Sequence, residues 1–419
     1  MKTVFAFCLR SLLLLCLYVF CTASLLGAQS SGHDEETRIT ALSITGLRRT
    51  RLSTAQRPLR KFIGLKASQV NIDEVWAAIL EMEILEPLSV KVEGEILVVE
   101  VREKWSIFPV PLVMGGSWGV SGGLAFYDAN AFGLNDKFFL AGIFSSASWS
   151  ASAGYIHASR GGLFPGLNGM VVFRSGEQND RDQKNKNLRI FELDTLSFNL
   201  GIVFNPLEKF DPLSTSALFS FENKTLRNTE KAMNGPDSDL RLFGTGMELA
   251  LRKSSWDGYL LSQQSASLRY VYKTSFDGLS FHSLRFRGTW EQSLVPGFRL
   301  VVRTGLVFEP DVPVLFESSP SAAQVAILPR YFSARNYTGI SAGMEKYILK
   351  IPSGTFSVAG AYQFVYSRGS VLGDSVDHGP VGMLFFYLRR LAIPALGLGV
   401  AYNVKENYIQ GSFSFGMSF

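Results

Sequence analysis

One pentapeptide in the sequence matches a pattern used for nucleophilic catalysis. Gly115 to Gly119 reads G-G-S-W-G, and in the G-x-S-x-G pattern the serine sits at a sharp strand-to-helix turn beside a histidine and an oxyanion hole. Here the surrounding sequence is rich in glycine and in strand-forming residues, and no helical pattern follows. Gly115, Gly116 and Gly119 therefore indicate a thin, bendable strand, and we expect no catalytic site.

Residue types that bind metals are scarce and scattered. The four histidines lie far apart, without an H-E-x-x-H or C-x-x-C companion: His33, His157, His282 and His378. The sequence therefore predicts neither a metal site nor a cofactor site. The polar stretch 176–189 mixes both charge signs without the ligand spacing or the central glycine of a calcium loop. It is interpreted as a solvated surface loop, with a calcium or ligand site as the alternative.

All three cysteines lie in the first 21 residues, which have the layout of a secretory signal peptide. Basic residues flank or precede the apolar segment 11–20, and small residues follow it. We predict a signal peptide over 1–28, cleaved after Ala23 or Ala28, and a short linker over 29–36. A lipid anchor is the weaker alternative because Cys16 and Cys21 follow large residues, Leu15 and Phe20, where a small residue would be needed. A retained helical anchor is also weaker, since the apolar stretch is short.

The composition is too apolar and too poor in charge for an ordinary soluble protein. Of 419 residues, 47% are hydrophobic and 18% are charged, and the mean hydropathy is +0.14. Beyond the N-terminus no run of eighteen consecutive apolar residues occurs, so the hydrophobicity is not arranged as transmembrane helices. The net charge of +5 is too small to indicate nucleic acid as a partner.

From residue 106 to 419, apolar residues fall on alternate positions, which places one face in lipid and the other in water. The last stretch places two sets of residues on opposite faces of one strand. One face carries Ile409, Gly411, Phe413, Phe415, Met417 and Phe419. The other face carries Tyr408, Gln410, Ser412, Ser414, Gly416 and Ser418. Strands of a soluble sandwich also alternate. This region, however, is long, has an aromatic-rich apolar face and shows no helical cover. The sequence therefore predicts an antiparallel transmembrane β-barrel.

About sixteen strands can be counted in this region. They are 110–117, 119–128, 136–146, 149–158, 168–177, 190–205, 213–224, 239–252, 264–275, 281–294, 297–309, 338–351, 354–367, 379–390, 395–404 and 408–419. The longest connections all follow odd-numbered strands: 178–189, 225–238, 310–337 and 368–378. Outer-membrane barrels have long external loops and short periplasmic turns, so the first strand is expected to run outward. Two medium connections, 159–167 and 253–263, weaken this pattern a little.

Residues 37–105 have a different pattern and predict a small α/β domain ahead of the barrel. The predicted order is β-α-α-β-β, at 39–44, 53–63, 71–83, 88–92 and 96–101. Asn71 is a plausible N-cap of the second helix, and Glu74 follows at capping-box spacing. The fold class is therefore mainly β, with one small α/β domain preceding the barrel.

The connection at 310–337 is longer than ordinary loops, which indicates a functional or disordered segment. It contains four prolines, and residues 329–337 read P-R-Y-F-S-A-R-N-Y. An apolar, aromatic and arginine-bearing segment suits a barrel interior better than free solution, so we expect the loop to fold into the lumen. Arg335 would need a carboxylate there, and Glu345 on the following strand is the nearest candidate. The alternative is an arginine at a surface loop tip.

These features together resemble the outer-membrane assembly family of BamA/TamA type, also called bacterial surface antigens, with a single periplasmic POTRA domain. Residues 101–105, V-R-E-K-W, are similar to the end of a POTRA domain. Residues 122–133, G-G-L-A-F-Y-D-A-N-A-F-G, are similar to the family's early barrel signature. The terminal Phe419 resembles the signal that assembly machinery reads on barrel proteins. The resemblance spans about residues 37–419.

The long loop resembles the family's Arg-Gly-Phe/Tyr tip. Arg335 and Tyr337 match it, whereas Asn336 replaces the glycine; asparagine tolerates a left-handed backbone better than most residues. On a later strand Ser367 stands where relatives often carry an aspartate that helps to hold the arginine. Glu345 therefore remains the candidate latch partner of Arg335.

The resemblance implies a protein of the bacterial outer membrane that inserts, folds or exports other proteins without ATP. The N-terminal domain and the C-terminus would lie on the periplasmic side. Partners would be outer-membrane lipid, unfolded or exported outer-membrane proteins and periplasmic accessory proteins, with no nucleic acid, and the barrel would be monomeric. A passive pore, an adhesin or a surface antigen without insertase activity is the alternative. A barrel-linked enzyme would need a catalytic constellation that the sequence does not contain.

The implied mechanism has two parts. An exposed edge of the POTRA domain would capture an extended substrate by β-augmentation. A weak seam between the first and last barrel strands would open laterally and template a new strand. Gly115, Gly116 and Gly119 would lie at one side of this seam, and Phe415 and Phe419 at the other.

Overall fold

The computed structural model describes residues 37–116, 119–157, 165–184, 186–205, 213–227, 238–257, 260–329, 332–369, 373–388 and 396–415. The predicted signal peptide at 1–28, the linker at 29–36 and Phe419 lie outside the described residues. The described chain is mainly β and forms a three-stranded and a sixteen-stranded sheet. No helix in the described ranges is long and apolar enough to span a bilayer.

The N-terminal domain has the predicted order β-α-α-β-β. Its elements are β1 Ala41–Thr45, α1 Leu52–Gln56, 3₁₀ helices at Arg57–Phe62 and Ala67–Gln69, α2 Ile72–Leu80, β2 Leu85–Glu93 and β3 Ile96–Glu103. The α-helical part of the first predicted helix is short. Pro58 lies in the first turn of the 3₁₀ helix that follows, and its nitrogen carries no hydrogen with which to continue the α-helical hydrogen bonds. The side chain of Asn71 accepts a hydrogen bond from the backbone N–H of Asp73, which confirms the predicted N-cap of α2.

The small sheet has the order β1-β3-β2, in which β3 pairs in parallel with β1 and antiparallel with β2. Helix α2 and the first 3₁₀ helix pack on this sheet through a buried apolar core that includes Leu59, Phe62, Ile79, Leu97 and Val99. Because β3 is central, β1 and β2 are the two edges of the sheet.

The large sheet confirms the prediction of sixteen antiparallel strands. The strands are β4 Ile107–Gly116, β5 Gly119–Ala131, β6 Asp136–Ser145, β7 Ser148–His157, β8 Gly166–Arg181, β9 Asn187–Phe204, β10 Leu213–Arg227, β11 Leu240–Asp257, β12 Leu260–Ser275, β13 Ser280–Val295, β14 Phe298–Phe308, β15 Asn336–Ile351, β16 Gly354–Arg368, β17 Asp374–Leu388, β18 Leu396–Asn403 and β19 Tyr408–Phe415. Each strand pairs with its neighbours in chain order.

The end strands β4 and β19 lie side by side, with Cα atoms within 8 Å of each other, so the sheet curls into a barrel. Between the described residues of these two strands no hydrogen-bonded ladder is formed, in contrast to every consecutive pair from β4 to β19. This is the only break in the circuit of the described barrel, and it defines the seam.

Apolar and polar side chains alternate along the strands, which shows which of them point outward and which point into the lumen. Outward-pointing side chains are large, apolar and exposed, among them Leu140, Phe144, Phe219, Met247, Trp290, Leu398 and Ile409. Inward-pointing positions carry small, polar or charged residues, including the buried Glu291, Arg299, Glu345 and Asp377. In β19, Ile409 is 65% exposed, whereas Tyr408 is buried and Gln410 half-buried. An apolar outer face and a polar lumen are the pattern expected of a barrel in lipid.

Candidate functional site

The described residues of the connection between β14 and β15, 309–329 and 332–335, lie inside the barrel; we call this connection the inner loop. Most of its buried apolar side chains pack against the lumen face of the later strands in one cluster, whereas Val312, Leu315 and Phe316 pack in a second cluster against β9, β11 and β13. To the first cluster the loop contributes Ala322, Ala323, Val325, Ile327, Leu328, Phe332 and Ala334, and the wall contributes Val307, Tyr337, Val365, Val381 and Ala401. Burying this surface removes apolar side chains from the aqueous lumen, which stabilises the inward position.

Two wall glycines allow the inner loop to approach closely; we call Gly305 and Gly339 the loop seat. A Cβ atom at Gly305 would lie 2.5 Å from the carbonyl group of Ala323. A Cβ atom at Gly339 would lie 2.8 Å from the Ala323 oxygen and 2.6 Å from the side chain of Val325. Any side chain at either position would therefore push the loop off the wall.

Glu309 anchors the start of the inner loop and is almost fully buried. Its carboxylate accepts hydrogen bonds from Arg285 Nη2 at 2.7 Å, from Ser318 Oγ at 2.8 Å and from Ser283 Oγ. Its backbone N–H donates to Asn336 Oδ1 at 3.0 Å. Asn336, which the sequence resemblance compares with a glycine, thus ties the first residue of β15 to the loop. It is an extended strand residue, so its tolerance of a left-handed backbone is not used.

Arg335 lies beside a carboxylate of the inner loop itself. Its Nε is 3.4 Å from Glu317 Oε1, and its backbone N–H donates to the carbonyl oxygen of Arg368 at 3.0 Å. The other oxygen of Glu317 accepts from Arg189 Nη2 at 2.7 Å, and Arg189 Nε donates to Asp180 at 2.9 Å. Arg189, Glu317 and Asp180 are buried, whereas the Arg335 side chain is 36% exposed. The buried ion pair that holds the loop therefore uses Arg189.

The structure does not bring Arg335 and Glu345 together, which corrects the expected latch. Ten positions along β15 separate residues 335 and 345, about 33 Å in an extended strand, which exceeds the reach of an arginine side chain. Glu345 instead stands directly opposite Arg299 on β14, whose Nη2 donates to it at 2.6 Å. Tyr387 Oη donates to the other carboxylate oxygen at 2.6 Å, as does the hydroxyl of Ser357.

Tyr337 is 1% exposed and belongs to the same cluster as the inner loop. Its ring lies edge-on to the ring of Phe332, with centroids 6.1 Å apart, and its hydroxyl donates to the Phe332 carbonyl oxygen at 3.4 Å. Tyr337 therefore holds the end of the loop by packing. Of the three predicted tip residues, Asn336 and Tyr337 are wall residues of β15, and Arg335 is the last residue of the loop.

The inner loop is also bonded to the last barrel strand, a contact that the sequence did not indicate. Gln410 on β19 donates from Nε2 to the carbonyl oxygen of Leu328 at 2.8 Å and to that of Ala326. The backbone N–H of Ala326 donates to Gln363 Oε1 on β16 at 2.8 Å. Alternation placed Gln410 on the lumen side of β19, but its partners lie 82 and 84 positions away in the chain.

The predicted seam residues are separated by the structure. Gly115 and Gly116 lie at the end of β4, the first strand of the seam. Gly119 begins β5 and pairs with Gly116 across the hairpin, so it lies one strand away from the seam. Phe415 ends the described part of β19 and pairs with Leu396 on β18. Only two of the three glycines therefore belong to the edge strand.

Glu103, at the end of β3, organises the junction between the small domain and the barrel. Its carboxylate accepts hydrogen bonds from the backbone N–H groups of Arg48, Arg49 and Thr50 at 2.7–3.2 Å and from Asn130 Nδ2 at 3.3 Å. Burial alone would raise the pKa of this carboxyl group, but the N–H donors outweigh burial and hold the pKa below its usual value. The ionised carboxylate thus joins the two domains.

The turn after β5 supplies the other half of the junction. Arg49 donates to Asp128 at 3.0 Å and to Ser106 Oγ at 2.7 Å. A Cβ atom at Gly133 would lie 2.2 Å from the Arg49 carbonyl oxygen, so only glycine fits there. On β6, Lys137 forms an ion pair with Glu83 at 2.8 Å. The 122–133 segment that resembles a family signature thus includes the docking turn for the small domain.

Three solved structures share this architecture. CdiB from Escherichia coli matches with a TM-score of 0.58 at 11% identity, covering 90% of this chain and 73% of that chain. CdiB from Acinetobacter baumannii matches with a TM-score of 0.56 at 15% identity over 92% and 74%. BamA from Haemophilus ducreyi lacking POTRA domains 1–3 gives 0.50 at 13% over 90% and 84%. No protein-family model and no curated protein matches. At sequence identities this low, the structural similarity shows a shared fold.

Proposed function

From a barrel with the fold of BamA and CdiB, we propose that this chain is an outer-membrane factor that inserts or exports other proteins without ATP. In this proposal the small domain is a POTRA domain on the periplasmic side, and the barrel wall is the working surface. The observation that carries the proposal is the seam: β4 and β19 lie adjacent without a ladder between their described residues. An edge of this kind is a template for another strand.

The small sheet offers a first place for a substrate. Strands β1 and β2 are both edges, and Leu88 on β2 is 46% exposed. An extended segment that adds to such an edge gains main-chain hydrogen bonds that do not depend on its sequence. Capture by β-augmentation would then deliver the segment close to the barrel, because Glu103, the last residue of β3, also contacts Asn130 of the barrel.

The inner loop is the proposed control on the seam. Gln410 ties β19 to the loop, and the loop is in turn held by Glu309 and by the loop seat. Moving β19 away from β4 would break the bonds of Gln410 or carry the loop with it. Opening therefore requires a substrate strand that replaces these interactions.

The test is reconstitution of the full chain in liposomes with an unfolded barrel protein as substrate. Folding of the substrate should accelerate over empty liposomes and should stop when engineered cysteines join β4 to β19 in a disulfide. A disulfide between positions 383 and 399, which face each other across β17 and β18, is the matched control and should leave acceleration intact. Equal acceleration with the seam closed would exclude lateral opening.

A passive pore, an adhesin or a surface antigen is the second candidate, because a polar lumen inside an apolar wall also suits conduction. The same liposomes separate the two functions. Ion conductance without acceleration of substrate folding would support the passive barrel and overturn the assembly proposal. We propose no enzymatic role for this chain.

A further inference from the structure

Three arginines that have no hydrogen-bonded carboxylate among the described residues point into the lumen from three adjacent strands: Arg252 on β11, Arg269 on β12 and Arg287 on β13. Their direction follows from alternation, because the neighbouring outward residues are exposed and apolar: Leu251, Leu268, Tyr270 and Trp290. Arg252 and Arg287 are exposed and Arg269 is half-buried. In the described part of the chain their only hydrogen bond is from Arg287 Nε to the Ala322 carbonyl oxygen at 3.4 Å.

The register of the ladder places small residues between these arginines. Ser267 on β12 is directly opposite Ala250 on one side and Arg287 on the other. Ser265 is directly opposite Arg252. The three long side chains therefore surround a patch of the wall whose own side chains are short. We call this patch the arginine recess.

The arginine recess carries an excess of positive charge. Arg269 is directly opposite Arg285, a like-charge pair that costs stability, but Arg285 is neutralised by its hydrogen bonds to Glu309. Glu248, opposite Arg269 on β11, is the one carboxylate among the directly facing residues. Arg269 and Arg287 both interact with Glu248, and Glu222 on β10 also interacts with Arg269. With Arg285 close to both arginines, the guanidinium groups repel one another, and an anionic ligand would offset this repulsion.

From this arrangement we propose that the arginine recess binds the carboxylates of an extended acidic polypeptide segment. The inference rests on the proposed function, since it names the class of substrate that the lumen receives. Lipid phosphates are excluded as occupants because these side chains face the lumen and the neighbouring apolar residues face lipid. Helix α2 of the small domain lies within 8 Å of β11, so the recess is on the side from which a captured segment arrives.

The spacing suits an extended chain. Arg269 and Arg287 are diagonal neighbours on adjacent strands, a relation that separates side chains by about 7–8 Å. In an extended peptide, residues two apart lie about 6.8 Å from each other and point to the same side. Acidic residues at alternate positions would therefore meet both guanidinium groups, each as a charge-assisted hydrogen bond.

The experiment measures fluorescence anisotropy of a fluorescein-labelled peptide of alternating Glu and Ser residues, added to the full chain in detergent micelles. The wild-type chain should bind this peptide more tightly than a matched peptide of alternating Lys and Ser, and added salt should weaken binding. The double variant R269Q/R287Q should lose about tenfold or more in affinity. Arg368→Gln removes an exposed charge at the end of β16 and should not change affinity.

Equal affinity of the double variant and the wild type would overturn the proposal, as would equal binding of the basic peptide. Binding of inorganic pyrophosphate at the arginine recess, with no binding of the acidic peptide, would also overturn it in favour of a site for free phosphate. The assembly proposal is tested separately with a substrate that lacks clustered acidic residues. The wild type should accelerate the folding of that substrate, and its failure there would reject only the assembly function.

Discussion

Gln410 on the last barrel strand donates a hydrogen bond to the carbonyl oxygen of Leu328 in the inner loop, with 2.8 Å between the two atoms. One side chain thereby connects the seam of the barrel to the segment that fills part of its lumen. The same nitrogen also donates to the Ala326 carbonyl oxygen. Both acceptors belong to the part of the loop that packs on β16 to β18. Movement of the loop and movement of β19 are therefore coupled.

Replacing Gln410 by alanine should loosen this connection. The Ala326 and Leu328 carbonyl groups would lose their protein donor, at a cost of about 1–3 kcal/mol where they stay shielded from water. The temperature at which the folded barrel loses its compact mobility in detergent gel electrophoresis should fall. Gln264→Ala, at an exposed position of β12, is the control and should not change that temperature. Equal shifts in the two variants would show that the hydrogen bonds from Gln410 to the inner loop do not stabilise the barrel.

Gly339→Ala should displace the inner loop from the loop seat. The new Cβ atom would overlap the Ala323 oxygen and the Val325 side chain, and overpacking of this kind costs about 1–3 kcal/mol. Limited proteolysis should cut residues 309–335 faster than in the wild type. Gly360→Ala on β16 meets no atom within 4 Å and serves as the matched control. A loop that stays as resistant as in the wild type would contradict the steric role of Gly339.

Removing one partner of the buried Arg299–Glu345 ion pair should show how strongly an unpaired buried charge destabilises the barrel. Arg299→Met leaves the Glu345 carboxylate without its cation and should destabilise the barrel by about 3–5 kcal/mol. The double variant R299M/E345Q should be clearly more stable than R299M, because the amide oxygen can still accept from Tyr387 and no unpaired charge remains. Urea unfolding in lipid vesicles measures both. A double variant no better than the single one would mean that Arg299 acts mainly through packing or through Glu291.

The junction at Glu103 should depend on pH in the acid range. The lowered pKa of the folded state means that this carboxylate stabilises the docked domain above its unfolded pKa of about 4.3. That contribution is lost as the pH falls through the lower folded pKa. Spin labels on the small domain and on the barrel should report a narrow distance distribution at neutral pH that broadens as the pH falls through the lowered pKa of Glu103.

Glu103→Gln should remove most of this pH dependence, because the amide cannot change charge in that range. Glu100→Gln, at an exposed position of the same strand, is the control and should keep the wild-type pH profile. Broadening in the acid range that persists unchanged in Glu103→Gln would assign the pH dependence to another carboxyl group, such as Asp128.

Much of the barrel could be predicted from the sequence because lipid on one side and water on the other impose a period of two on every strand. The same constraint predicted which face Ile409 and Gln410 would occupy. The apolar and aromatic residues at 329–337 indicated an inner position for the long loop, where Phe332 and Tyr337 are indeed buried. The hydrogen-bond and ion-pair partners of these residues could not be predicted in this way. Alternation indicates the face on which a residue lies but not which residue lies opposite it on the neighbouring strand.

The contacts of the candidate site depend on the register between neighbouring strands and on contacts between residues that are far apart in the chain. Glu345 was the carboxylate nearest to Arg335 in the following strand, yet the ladder sets it opposite Arg299, while Glu317 reaches Arg335 because the loop folds back on itself. Gln410 finds Leu328 only when the last strand returns to the lumen wall beside the loop.

The sequence by itself determined the class of fold, because solvation acts on each side chain locally and leaves its period in the chain. Tertiary structure alone decided which charges pair, where the inner loop rests and how it reaches the seam. These contacts depend on the stagger of sixteen successive strands, and a shift of one residue in any pairing would exchange the faces.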